Sequence, residues 1–330
     1  MPLVTSTELL AAAEAGNYGV GAFNAINMES AQAIFKAAEE ERAPFILQVT
    51  QTTLGYTEPE ELVALIKELA KKSTVPMALH LDHGRSFEKV MQFLAMGFTS
   101  VMIDGSLTED GKGPRSWDEN VEVTCKVVEA AHAIGVPVEG EFGMLGQIGG
   151  DLKGGEGALT DPDLAAKFVE TTGIDILAVG VGTTHGLFKG KPYIDHERLK
   201  QIDAKVKVPL VMHGGTGVPD EDVRQGITEG IRKINFDTGI RVSFIEAVAG
   251  EIHAIEKEWD DADKSGGVRK YDIRRVLKPA RAAMVDAVRD RMRVFSSSGK
   301  ADLGGACSAK ADPAKAAERA REAEVAKVLE

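Results

Sequence analysis

Short apolar, β-branched runs recur along this chain, each giving way to a polar or glycine-rich turn and then to a segment of helical period. The runs predict strands over residues 20–24, 45–50, 76–82, 100–104, 137–142, 176–181, 209–213 and 233–236. The segments between them predict helices that include residues 28–42, 59–72, 86–96, 118–134 and 162–172. The strands are continuously apolar rather than alternating, as in a parallel sheet covered by helices. Eight strands at this spacing favour an α/β fold of the closed (β/α)8 TIM-barrel type over an open doubly wound sheet. Residues 6–14 predict a short helix closing the barrel floor. The stretch 260–267, DDADKSGG, is expected to break the last barrel helix from a further one over roughly 278–295, giving the barrel extra C-terminal helices.

Composition shifts near the end. Residues 1–300 are expected to form one barrel domain, and residues 301–330 a C-terminal tail, either helical or mobile. Two loops stand out, residues 106–117 and the glycine-rich 146–157; each is either a lid or plain surface.

Charge narrows the partners. Lys and Arg total 39 against 51 Asp and Glu, a formal net charge of -12. That balance predicts no nucleic-acid and no membrane partner, since both want a basic face. An anionic substrate would have to be held by local backbone dipoles and a few cations. Cys125 and Cys307 cannot build a disulfide framework and suit a reducing cytosol. No long apolar run and no signal-peptide pattern is visible, so a cytoplasmic location is expected.

Reactive residues gather where a barrel of this kind keeps its site, at the C-terminal strand ends. Strand three ends in HLDHG, strand four in MIDGS and strand five in EGEFG; strands six, seven and eight run into GTTHG, MHGGTG and INFDTG. A lone histidine is more often a hydrogen-bonded core or surface residue. Here His83, His185 and His213 share a rim and each precedes glycine, which points to a catalytic zinc site with an open position for substrate. His132, His196 and His253 sit in helix-like segments, and His80 reads as packed behind the site. Asp82, beside a metal ligand, is the natural group to take a proton. Asp104 and Glu141 either hold a second divalent metal, orient the ligands, or form a rim salt bridge. The HGGTG run at 213–217, coupled to NFDTG one strand later, suits the backbone amides of a phosphate site.

These segments resemble the class II fructose-bisphosphate aldolases. The likeness is carried by GAFNAINMES, ALHLDHG, GFTSVMIDGS, EGEFG, TGIDILAVGVGTTHGLFKG, VPLVMHGGTGVP, KINFDT and RKYDIRRVLKPARAAM, in order, over roughly residues 1–300. The resemblance implies zinc-dependent, reversible cleavage of fructose 1,6-bisphosphate to dihydroxyacetone phosphate and glyceraldehyde 3-phosphate. It implies Asp82 as the acid/base at the C4 hydroxyl, His83, His185 and His213 as zinc ligands, and Asp104 and Glu141 at a second metal position. Gly186, Gly214, Gly215, Thr216, Asn235, Phe236, Asp237 and Thr238 would bind the dihydroxyacetone-phosphate half. Carbonyls near Gly186 and Gly214 would hold a monovalent cation, Na+ or K+. Arg274 would reach a phosphate across the interface of a homodimer or higher homo-oligomer. Three departures stand out. Where relatives carry an acidic pair after the strand-five glycines, this chain reads GGDL, leaving Asp151 and Glu156 as candidates for moving the second proton. Thr50 stands where many relatives have serine, and the loop at 107–117 and the tail are longer than usual. The rival readings are a tagatose-1,6-bisphosphate aldolase, a zinc hydrolase on the same barrel, and a barrel without catalysis.

Overall fold

The computed structural model describes residues 3–111, 113–142, 159–184, 186 and 193–303. Eight parallel strands close on themselves in chain order: β1 (Val20–Asn24), β2 (Phe45–Thr50), β3 (Met77–Gly84), β4 (Ser100–Ile103), β5 (Val138–Glu141), β6 (Ile176–Val179), β7 (Leu210–Met212) and β8 (Ile231–Phe236). Closure is made by β8 pairing with β1, Ala22 opposite Asn235. Outside the barrel lie α2 (Met28–Glu41), α3 (Pro59–Lys72), α4 (Phe87–Ala95), α5 (Trp117–His132), α6 (Pro162–Thr172), α7 (His196–Asp203), α8 (Asp220–Thr228) and α9 (Thr238–Ser265). Helix α1 (Ser6–Gly16) precedes β1, and α10 (Ile273–Val294) follows α9. The TIM barrel read from the sequence is the observed fold.

Local chemistry fixes where helices start. The side chains of Asn27, Ser86, Ser116, Asp161 and Asp195 accept hydrogen bonds from first-turn amides. Thr5 with Glu8, and Ser116 with Glu119, close reciprocal capping boxes.

The period of two along each strand divides the core. Phe45, Leu47, Leu79, Leu81, Leu177 and their alternates pack outward against the helices. Ala22, Ile46, Ala78, Met102, Ile176 and Val211 instead fill the barrel interior, closed from below by Leu9, Leu10 and Ala13 of α1. The floor helix is thus where the sequence predicts it, and Ser6 on it meets Ser100 of β4, Oγ to Oγ 2.7 Å.

The C-terminal helices differ from the sequence reading. The acidic stretch at 260–265 does not break α9, since Asp and Lys are tolerated in an exposed helical turn. The helix stops at Gly266, whose φ of 70° ends it in a left-handed cap. Helix α10 begins at Ile273, not near 278: the Asp272 side chain accepts from the Arg274 amide, and Pro279 falls inside the helix. Residues 304–330, most of the tail, and the glycine-rich loop at 146–157 lie outside the described residues. Among the described residues, no helix is long and apolar enough to cross a membrane.

Candidate active site

The inward-facing parity that builds the interior also carries polar side chains to its upper end. On β3 it runs Ala78, His80, Asp82; on β5, Glu139, Glu141; on β8, Lys233, Asn235, Asp237. At the top these side chains line a cleft of about 740 Å³ that includes Asn24, Asp82, Asp104, Glu141, Asn235 and Asp237. His213, directly after β7, lies just beneath it and is 1% exposed.

His83 breaks the parity. Following Asp82, it ought to face the helices. A register shift between Leu81 and Gly84 and a φ of 53° at His83 turn it to the cleft instead. A non-glycine residue in the left-handed region is strained and persists where surrounding structure demands it.

His83 Nε2 and His213 Nδ1 come within 3.2 Å of each other. Their rings meet edge-on at 76° with centroids 4.8 Å apart. The other nitrogen of His83, Nδ1, faces Asp104 Oδ2 at 3.2 Å and Glu141 Oε2 at 4.0 Å. Asp82 Oδ1 is 3.9 Å from His83 Nε2. Two sets of ligand atoms therefore cluster within 4.8 Å: Asp82, His83 and His213, and His83, Asp104 and Glu141. His185, the third histidine named from sequence, lies outside the described residues, as do Asp151 and Glu156.

The donor set fits a dication. Burial opposes charge on His83, yet Asp82, Asp104 and Glu141 outweigh it and hold its pKa up at about 10. Carboxylates that strongly favour a positive charge at this point suit a bound metal ion equally well. Imidazole and carboxylate donors are the mixture that zinc accepts.

Further partners fix these groups; Asn235 is named from the sequence, whereas Asn24, Gln48, Ser106 and Asn120 are not. Asn24 Nδ2 donates to Asp82 Oδ2 at 2.9 Å, and Asn235 Nδ2 donates to Asp82 Oδ1 at 3.3 Å. Gln48 holds Asn24 in turn, Nε2 to Oδ1 3.0 Å. Ser106 Oγ donates to Asp104 Oδ1 at 2.6 Å, and Asn120 Nδ2 donates to the Glu141 carbonyl at 3.1 Å. Behind His213, Glu139 Oε1 lies 3.1 Å from Nε2, which turns Nδ1 toward His83. The signal for Asn24, Gln48 and Lys233 was their inward parity in otherwise apolar strands; Glu139 shares the face of Glu141.

Glycines shape the opposite rim. Gly186, Gly214, Thr216 and Thr238 line the cleft with Thr50. Gly214 has a φ of 67°, and a Cβ there would stand 2.2 Å from the Thr184 carbonyl oxygen, so only glycine fits. Thr216 Oγ1 accepts from the Gly239 amide at 3.1 Å, fastening this loop to the start of α9. Gly215 does not line the cleft; its amide donates to the Asn235 carbonyl at 3.1 Å. Phe236 has the outward parity and packs edge-on against Phe23. Arg274 is exposed in the first turn of α10, paired with Asp272 at 2.9 Å. Of the helical histidines, His132 bonds Asp175 and His196 bonds Glu229.

Comparison with known proteins places this arrangement. Residues 4–300 match the family model described as "Fructose-bisphosphate aldolase class-II". The chain belongs to the class-II fructose-bisphosphate aldolase family. A fructose-bisphosphate aldolase of Thermus caldophilus is 42% identical over 324 residues, covering 91% of this chain and 100% of that protein. One from Geobacillus stearothermophilus is 41% identical over 304 residues, covering 91% and 99%. Among solved structures, the YdjI aldolase of Escherichia coli K12 superposes with a TM-score of 0.75 at 30% identity, covering 91% of this chain and 100% of that one.

In this aldolase cleft the carboxylates are tuned apart. Burial alone would raise the Asp82 pKa, but His83, His213, Lys233 and the Asn24 amide outweigh it and hold the carboxyl below its ordinary value. Asp82 is therefore ionised near neutrality and able to accept a proton. Burial pushes Asp237 the other way, to about 6, against the Arg241 guanidinium and with help from Asp82.

Beneath the His83–His213 pair lies a wholly buried ion pair, Glu139 Oε2 to Lys233 Nζ 2.8 Å. Replacing Lys233 by methionine leaves the Glu139 carboxylate buried without its countercharge. The variant should lose about 3–5 kcal/mol of stability, and Glu139→Gln combined with Lys233→Met should recover much of it. Urea unfolding of the three proteins checks this; equal stability of the single variant and the parent would show that the pair is not a structural charge couple.

Proposed function

We propose that the cleft binds an open-chain ketose bisphosphate, fructose 1,6-bisphosphate, and cleaves it reversibly between C3 and C4. The observation that carries the reading is the ionised Asp82 carboxylate set beside the His83–His213 nitrogen pair at the end of β3. His83 and His213, with His185, would hold a zinc ion, which supplies Lewis-acid polarisation of the ketose carbonyl. Asp82, oriented by Asn24 and Asn235, takes the C4 hydroxyl proton as the carbon–carbon bond breaks. Asp151 or Glu156 moves the proton at C3. Gly186, Gly214, Thr216, Asn235, Asp237 and Thr238, which line the cleft, cradle the phosphate of the dihydroxyacetone half through backbone amides and the start of α9. Thr50 and Arg274 serve the other phosphate, Arg274 from a neighbouring subunit. Asp104 and Glu141 offer a second divalent position, and carbonyls at Gly186 and Gly214 a monovalent one.

A cytoplasmic location and a homodimer or higher homo-oligomer complete this reading. Exposed Ile245, Ile252, Tyr271 and Ile273 on and beside α9 and α10 support the oligomer. The test is cleavage of fructose 1,6-bisphosphate beside its C4 epimer, tagatose 1,6-bisphosphate, by zinc-loaded protein. The expected result is a kcat/KM for the fructose sugar at least about tenfold higher, because a misplaced C4 hydroxyl loses its bond to Asp82. A faster tagatose reaction transfers the substrate assignment to that sugar, and no cleavage of either sinks the aldolase reading.

A further inference from the structure

We propose that Arg85 is a further cation at the phosphate of the aldehyde-forming end of the sugar, beside Thr50 and Arg274, and that it thereby sets preference for bisphosphate over monophosphate ketoses. This rests on the aldolase reading above. A ketose bisphosphate carries its charges at opposite ends of a six-carbon chain. The glycine loop that suits one phosphate follows β7, and Arg85 follows β3, four strands away and so across the ring. With the metal cluster between them, a substrate spanning the cleft from the glycine loop arrives at Arg85, which lines that side.

The side chain is held ready for an anion. A Cβ on Gly111 would lie 2.3 Å from Arg85 Nη1 and 2.9 Å from Cζ, so the main chain at Gly111 lies directly against the guanidinium. Gly111 belongs to a hairpin closed by a Leu107–Pro114 bridge and by Thr108 N–H to the Gly113 carbonyl at 2.8 Å. Both main-chain groups of Arg85 are fastened: its amide donates to Gln51 Oε1 at 3.2 Å, and its carbonyl accepts from Arg115 Nη2 at 2.9 Å. The guanidinium itself is not satisfied. Its Nε is buried without a hydrogen-bond partner among the described residues, and the carboxylate its charge acts on, Asp104, is already held by His83 and Ser106. Arg241, also on the cleft wall, is by contrast already paired with Asp237. A half-buried guanidinium on the cleft wall whose Nε has no hydrogen-bond partner among the described residues suits an anion supplied by the substrate. A phosphate dianion accepts from its planar fork bidentately, which an ammonium reproduces only in part.

The experiment measures kcat/KM for fructose 1,6-bisphosphate and for fructose 1-phosphate with zinc-loaded parent, Arg85→Gln and Arg85→Lys proteins. In Arg85→Gln the bisphosphate-to-monophosphate ratio should fall by about 10–100-fold, chiefly through KM for the bisphosphate, with partial recovery in Arg85→Lys. Equal losses on both sugars would assign Arg85 to the metal cluster or the fold and overturn the proposal, as would an unchanged ratio. A parent protein that cleaves neither sugar instead removes the aldolase reading on which the assignment stands, an outcome separate from any change in ratio.

Discussion

Replacing Asp82 by asparagine should lower kcat for cleavage of fructose 1,6-bisphosphate by about 10³-fold, with zinc content little changed and the barrel still folded. The side chain is buried, and both oxygens accept from amides, Oδ2 from Asn24 and Oδ1 from Asn235. Those two donors orient the carboxylate, and the Asn24 amide, with the positive surroundings of His83, His213 and Lys233, holds it ionised against burial. An asparagine side chain keeps the shape and one acceptor but cannot take a proton, so the loss should appear in kcat with KM within a few-fold of the parent. Its amide meets one of the two neighbouring amides donor to donor, a local conflict of about 1–3 kcal/mol that the barrel can absorb. The measurement is steady-state kinetics beside metal analysis of the same preparation. A kcat within tenfold of the parent would move the base to another group, and a loss of zinc would show that Asp82 acts chiefly through the metal cluster.

Much of this arrangement was legible in the chain, and the exceptions have physical reasons. The eight strands declared themselves because a parallel strand buried on both faces must be apolar along its whole length. Asp82, Asp104, Glu141 and His213 were legible because each stands at or just beyond a strand end, where the barrel opens. His83 was named from its sequence neighbours, although simple alternation points it away from the cleft; only the bulge between Leu81 and Gly84 brings it in, and a bulge leaves no periodic trace. The pairing of Glu139 with Lys233 joins strands far apart in sequence across the barrel interior. A lysine in a strand reads as solvent-facing until the closed ring encloses it. Arg85 escaped for a related reason: what distinguishes it is a guanidinium pressed against Gly111 with its Nε buried and unpartnered among the described residues, a property of packing rather than of spacing. The length of α9 was misjudged because its acidic last turns look like a loop, whereas the stop is Gly266.

Metal removal should abolish cleavage, and returning zinc should restore it. The sharper form of this prediction concerns His213. Its Nδ1 lies 3.2 Å from His83 Nε2, and its Nε2 lies 3.1 Å from Glu139 Oε1, so the ring is gripped from behind with one nitrogen presented to the cluster. Changing the partner behind a metal-binding histidine costs about 10–100-fold in metal affinity, and deleting the ring itself should cost more. His213→Ala should therefore bind zinc at least about 100-fold more weakly in competition with a chromogenic chelator, and its cleavage should fall to background at limiting zinc. Glu139→Gln should show the smaller loss, because the amide can still accept from Nε2 while losing the charge that favours that tautomer. The order of the three proteins, parent above Glu139→Gln above His213→Ala, is the decisive readout. A His213→Ala protein that keeps one tightly held zinc per chain would place the metal with Asp104 and Glu141 instead, and cleavage that survives exhaustive chelation would remove metal from the chemistry altogether.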